Sequence, residues 1–159
     1  MRKNIYIDFS YLLLLAATFG AVIVLGAFVA PVVFNTDYIL FGISLGKYNE
    51  GIIMAEIFSR FSYWIYIVAF FITIYEIVMY KKGQRDAIIF GSSVTTVFSA
   101  LMFSGVYAPK IISMQKLGEE ATLSDTFVNL HIASELDFKI LAIAIVILFV
   151  RRLMLLRIK

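Results

Sequence analysis

Long apolar stretches broken by short polar ones run the length of the chain, and their apolar positions do not alternate as those of a half-buried strand would. They predict helices over about 7–34, 53–81, 86–108 and 125–151. A helix of about 20 apolar residues rises about 30 Å, the thickness of a bilayer's hydrocarbon layer. In hydrocarbon each backbone N–H and C=O must be paired within its own segment, so continuous apolar runs select helices. The expectation is an all-α fold, a four-helix transmembrane bundle forming a single integral membrane domain over 1–159.

Polar punctuation marks the element ends. Gly83 follows Lys81 and Lys82, where a left-handed residue closes a helix. Thr122, Leu123, Ser124 and Asp125 carry N-cap chemistry for the last helix. Pro31 is placed to kink or end the first helix, and Pro109 to close the third. Small residues spaced i, i+4 on the first helix, including Gly20, Gly26 and Ala30, suit close packing in lipid. Packing within the bundle and contact with a second copy both use such a face. Ser92, Thr96 and Ser99 form a hydroxyl stripe on the third helix, read as packing or as the lining of a polar path.

The last helix breaks the pattern. Its purely apolar core, 140–150, rises only about 17 Å. Either it draws Glu135, Asp137 and Lys139 into the outer leaflet, or the 153–158 tail is pulled in while Arg151 and Arg152 snorkel.

Composition narrows the class. Of 159 residues 62% are hydrophobic and 16% charged, below the roughly 25% of soluble domains. No cysteine is present, which excludes disulfides, thiolate nucleophiles and Cys-based zinc or iron–sulfur sites. The net charge is +3 and its placement matters more than its size. Arg2, Lys3, Lys81, Lys82 and Arg85, with Arg151, Arg152, Arg157 and Lys159, fall on one side; Lys47, Arg60, Lys110, Lys116 and Lys139 fall on the other. That bias predicts an N-in, C-in, multi-pass protein of a bacterial inner membrane, with the lipid bilayer as its partner. The basic N-terminus before an apolar run is read as an uncleaved first helix rather than a signal peptide, since no small-x-small cleavage site follows. Juxtamembrane basic residues explained by topology leave no case for nucleic acid.

Candidate chemistry gathers near the outer boundary. His131, Glu135 and Lys139 share one face of the last helix. Glu56 and Arg60 are spaced i, i+4 at the start of the second. We expect Glu56, Arg60, His131 and Glu135 to line one outward polar vestibule rimmed by Asn35 and Asn129, with Arg60 or Lys139 as the partner of Glu135. Three uses compete: an ion-pair network holding helices in register, a site that binds or passes a cation, proton or small solute, and acid–base catalysis. His131 and Glu135 can offer two ligands to a divalent metal, with no third specified. Haem would need Met54, Met102 or Met114 as partner, because His131 is the only histidine. No cofactor is predicted. The expected role is non-enzymatic binding or passage of a solute; the alternative is an accessory membrane subunit, within a homo-oligomer or membrane complex.

Three segments carry a resemblance: GAFVAPVVF at 26–34, AEIFSRF at 55–61 and FVNLHIAS at 127–134, with Tyr107, Ala108 and Pro109 closing the third helix. Their order and spacing resemble the transmembrane protein 205-like family, also called domain of unknown function 4149. The family's His and Ser pattern maps to His131 and Ser134, its Ala-Pro to Ala30 and Pro31, and its helix-opening Phe to Phe58. The resemblance implies a multi-helix membrane protein and no established reaction. It brings loose associations with metal-drug resistance in animal members and, by layout, with copper-resistance-type membrane proteins.

Overall fold

A computed structural model describes residues 5–157. Arg2, Lys3 and Lys159, which contribute to the orientation reading, lie outside the described residues. The long helices are α1 (Ile5–Val33), α2 (Gly46–Lys81), α3 (Ala87–Gln115) and α4 (Asp125–Arg157), with single turns at Thr36–Ile39 and Glu119–Thr122. No strand occurs among the described residues. Of these helices three, α1, α2 and α3, are long and apolar enough to cross a membrane, and on that ground this is a membrane protein. α4 is of comparable length but carries charge through its first half and near its end.

The ends follow local chemistry. Gly83 takes φ 85° just past α2. Asp86 then caps α3, its carboxylate accepting from the N–H groups of Ile88 and Ile89 at 3.0 Å each. Ser124 caps α4 by accepting from Phe127 N–H at 3.3 Å. α2 begins at Gly46, well before the expected 53, because the segment ahead of it is fastened down. Glu50, in the second turn of α2, is buried and accepts from that segment's Thr36 N–H at 3.1 Å and Thr36 hydroxyl, and from Lys47 Nζ at 2.8 Å.

Neither proline stops its helix. π turns at Val24–Val29 and Phe103–Tyr107 lie immediately before Ala30-Pro31 and Ala108-Pro109. Proline lacks an N–H and its ring crowds the carbonyl four residues back. A wider i→i+5 turn just ahead of it changes that register, so the helix passes through instead of breaking. The expected close of the third helix at Pro109 is therefore corrected: α3 continues to Gln115.

α1 and α3 run opposite to α2 and α4. Asp8 and Tyr11 of α1 meet Tyr75 and Glu76 of α2, Thr18 meets Trp64, and Asp86 meets Arg151. α4 packs most extensively along α3 and also against α1. The core combines Leu15 and Val22, Ile65 and Ile72, and Leu141 and Ile145. Tyr11, Leu15, Thr18 and Val22 form the buried face of α1 at helical spacing. The glycines of the small-residue stripe lie off that face: Gly20 is exposed with nothing within 4 Å of where a Cβ would sit, and a Cβ at Gly26 would lie 3.8 Å from the Phe138 ring. Ser92, Thr96 and Ser99 are buried on α3.

Candidate functional site between the aromatic floor and His131

Where α1 ends and α2 begins, beside the end of α3 and the start of α4, aromatic rings close a floor. Phe58, Phe103 and Phe138, one from each of α2, α3 and α4, pack with centroids 4.9–5.3 Å apart, and Phe61 adds a further edge contact. Two adjoining clefts open above it. One of ≈ 270 Å³ is walled by Met54, Ala55, Ile111 and Phe127, with Lys47, Gln115 and Glu119 adding polarity. The other, ≈ 630 Å³, is walled by Val22, Ala27 and Pro31, with Asn35, Glu135 and Lys139 on one side. Phe34, Phe58, Phe103, His131 and Ser134 line both. His131 is exposed at this shared wall, its ring nearly parallel to that of Phe127 with 6.3 Å between centroids. Ser134 is buried and donates to the His131 carbonyl at 2.7 Å. The arrangement is a mostly apolar recess with one imidazole in its wall.

The residues singled out from sequence separate. His131 and Glu135 reach these clefts, and Asn35 lies at the rim of the larger one. Asn129 is exposed and lines neither. Glu56 and Arg60 also line neither; they pair with each other at 2.8 Å, with side chains 60% and 79% exposed. Glu135 pairs with Lys139 at 2.7 Å, with both side chains more than half exposed. So the pairing of Glu135 with Arg60 is corrected: each charge takes the partner one turn away on its own helix, which needs no reach across a gap. No group of three metal-binding side chains occurs among the described residues, and the Glu135 carboxylate is already occupied by Lys139.

Charge is buried elsewhere. At the opposite end Arg152, with its side chain only 5% exposed, meets Glu76 through two nitrogens, Nε at 2.9 Å and Nη2 at closer range. Its Nη1 donates to Gln84 Oε1 at 2.8 Å, and its guanidinium lies 5.2 Å over the Tyr75 ring. Tyr11 donates to Glu76 at 2.7 Å and Tyr75 to Asp8 at 2.7 Å, their rings stacked 3.7 Å apart. Beside them Arg151 holds Asp86 at 2.7 Å. That guanidinium, together with the Ile89 and Ile88 N–H groups, keeps the Asp86 carboxyl below the usual carboxylate range.

Midway along α4, Asp137 is 8% exposed. The Ser99 hydroxyl faces it, while its Oδ2 has no hydrogen-bond partner. The sequence reading counted Asp137 only among the charges drawn toward the outer leaflet and treated Arg152 as a snorkelling end charge. Periodicity held the missing signal: Ser134, Asp137, Leu141, Leu148 and Arg152 fall on the buried face of α4.

An all-helical membrane protein with a recess of this kind is the class that the geometry defines. Within it, residues 13–120 match the family described as "Domain of unknown function (DUF4149)", and the chain belongs to that family. The matched residues stop before α4, so His131 and Ser134 lie beyond them. No curated protein and no solved structure matches the chain.

Proposed function

We propose that this is a non-enzymatic, multi-pass protein of a bacterial inner membrane that binds a small amphipathic solute in the paired clefts at its outer end. In this reading α4 is a fourth crossing, completing a four-helix bundle with both termini inside. Its packing along α3 and α1 supports that, because a helix carrying charge enters a bilayer most readily when other helices cover it. The basic loop between α2 and α3 then faces the cytoplasm, in keeping with the positive-inside rule.

The observation that carries the solute reading is the position of His131 at a wall common to both clefts, above an aromatic floor. Mainly apolar walls with His131 where the two clefts meet and other polar groups among their lining suit a ligand that has an apolar body and a polar end. Two carboxylates line the clefts, Glu135, which Lys139 neutralises, and Glu119, which shares the smaller cleft with Lys47; the mainly apolar remainder of the walls favours such a solute over a cation.

A diazirine-bearing octanol tests this in nanodiscs. Adducts mapped by mass spectrometry should fall on Met54, Phe58 and Phe127, and should diminish in His131→Leu. Adducts confined to residues far from the clefts, such as Phe70 and Phe90, would count against it and favour an accessory subunit with no solute site. Orientation is open to a direct test because the chain has no cysteine. In intact cells an impermeant maleimide should label Glu120→Cys, whereas Lys82→Cys should be labelled only after permeabilisation.

A further inference from the structure

We propose that the groove between α2 and α3 beside the basic loop is a binding site for one anionic phospholipid. Its apolar floor runs along α3 from Ile89 through Val94 and Val97 to Leu101, and Ile72 and Ile77 form the facing wall on α2. The groove encloses ≈ 470 Å³. From Asp86 to Leu101 it extends about 22 Å along the helix, more than the roughly 15 Å depth of one leaflet. An acyl chain therefore fits along its whole length.

Charge gathers toward the end at the loop, where Lys81, Gln84 and Asp86 line the mouth, while the hydroxyls farther in, of Thr73 and Ser93, are bonded to carbonyls of their own helices. Lys82 and Arg85 flank them in the same tight loop, with Arg85 5.2 Å over the ring of Tyr80, itself a wall residue. The sign of the mouth follows from which charges are already matched. Two acids reach this groove, Glu76 and Asp86, and both are neutralised from α4, by Arg152 and Arg151. Lys81, Lys82 and Arg85 form no ion pair among the described residues and are exposed. The internal arginines thus remove the loop's negative charge and leave three cations at the open end of an apolar trough. A lipid phosphate with its attached chain complements both halves, whereas a zwitterionic headgroup adds its own cation to the cluster. The site needs the chain to lie in a bilayer, and it holds whichever side the loop faces.

The test is native mass spectrometry of the full chain released from nanodiscs holding equal amounts of phosphatidylglycerol and phosphatidylcholine. Wild type should retain phosphatidylglycerol severalfold over phosphatidylcholine. The triple variant Lys81→Gln, Lys82→Gln, Arg85→Gln should bring that ratio close to one. Val94→Trp, which fills the trough and leaves the cations, should lower retention of both lipids. Equal retention by wild type, a ratio unmoved by the triple variant, or unchanged retention in Val94→Trp would overturn the site. Loss of bound lipid on adding inorganic phosphate would assign the cations to free anions and would overturn it too. His131→Leu should leave all of these readings unchanged, which separates this site from the clefts.

Discussion

At the basic end, Arg152 sits on Glu76 with both side chains nearly sealed, 5% and 12% exposed, and the pair joins helices far apart in sequence. At the cleft end, Arg60 holds Glu56 one turn away with both side chains mostly exposed. The chemistry is the same and the consequences differ. A buried pair that spans helices fixes their register, and removing one partner strands the other in a low-dielectric site. An exposed pair within one helix constrains little and is screened. The basic end is therefore the clamp of the fold. The cleft end, with exposed pairs within single helices and an aromatic floor, is free to receive something.

The largest effect should come from breaking the clamp. Arg152→Met leaves Glu76 with only Tyr11, and should cost about 3–5 kcal/mol in unfolding experiments in detergent. The double variant Arg152→Met, Glu76→Leu should recover most of that loss, because the carboxylate stranded by the single change is then gone as well. Asp86→Ala removes both the cap of α3 and the partner of Arg151, and should cost about 1–2 kcal/mol. Because the folded-state carboxyl titrates below its ordinary range, this contribution is fully present above that range and fades as the pH falls through the lower folded value. In Asp86→Ala that part of the acid dependence should vanish.

Asp137 sharpens the contrast from the other side, being buried without a cation. Asp137→Leu should raise stability by about 1 kcal/mol, since an unsatisfied polar oxygen is removed and a side chain of similar size remains. The smallest effect should be at the cleft rim, where a Glu56→Ala, Arg60→Ala cycle should give a coupling of about 0.3–0.5 kcal/mol.

Much of the fold was legible in the sequence because hydrophobic length and cap chemistry are local. The apolar runs, Gly83 and Ser124 mark helix ends close to where they fall. Proline was misread as a stop because its cost depends on the turn before it, and nothing in the residue types Gly105, Val106 and Tyr107 announces a π turn. The site was legible only in part. His131 and Glu135 were found through helical spacing, yet spacing on one helix does not say which partner lies across from it. Of the two partners that spacing offered Glu135, Lys139 on its own helix is the one found, and Arg60 takes Glu56 one turn away. The clamp was missed because its members stand far apart in sequence, Asp8 and Tyr11 on α1 against Glu76 and Arg152, and only packing brings them together.

The most direct test is to measure two coupling energies under the same conditions, Glu76 with Arg152 and Glu56 with Arg60, each by a double-mutant cycle on thermal unfolding. Coupling above about 2 kcal/mol at the first pair and below about 0.5 kcal/mol at the second is the expected result. Equal couplings, or a larger one at Glu56 and Arg60, would contradict the assignment of the clamp to the basic end.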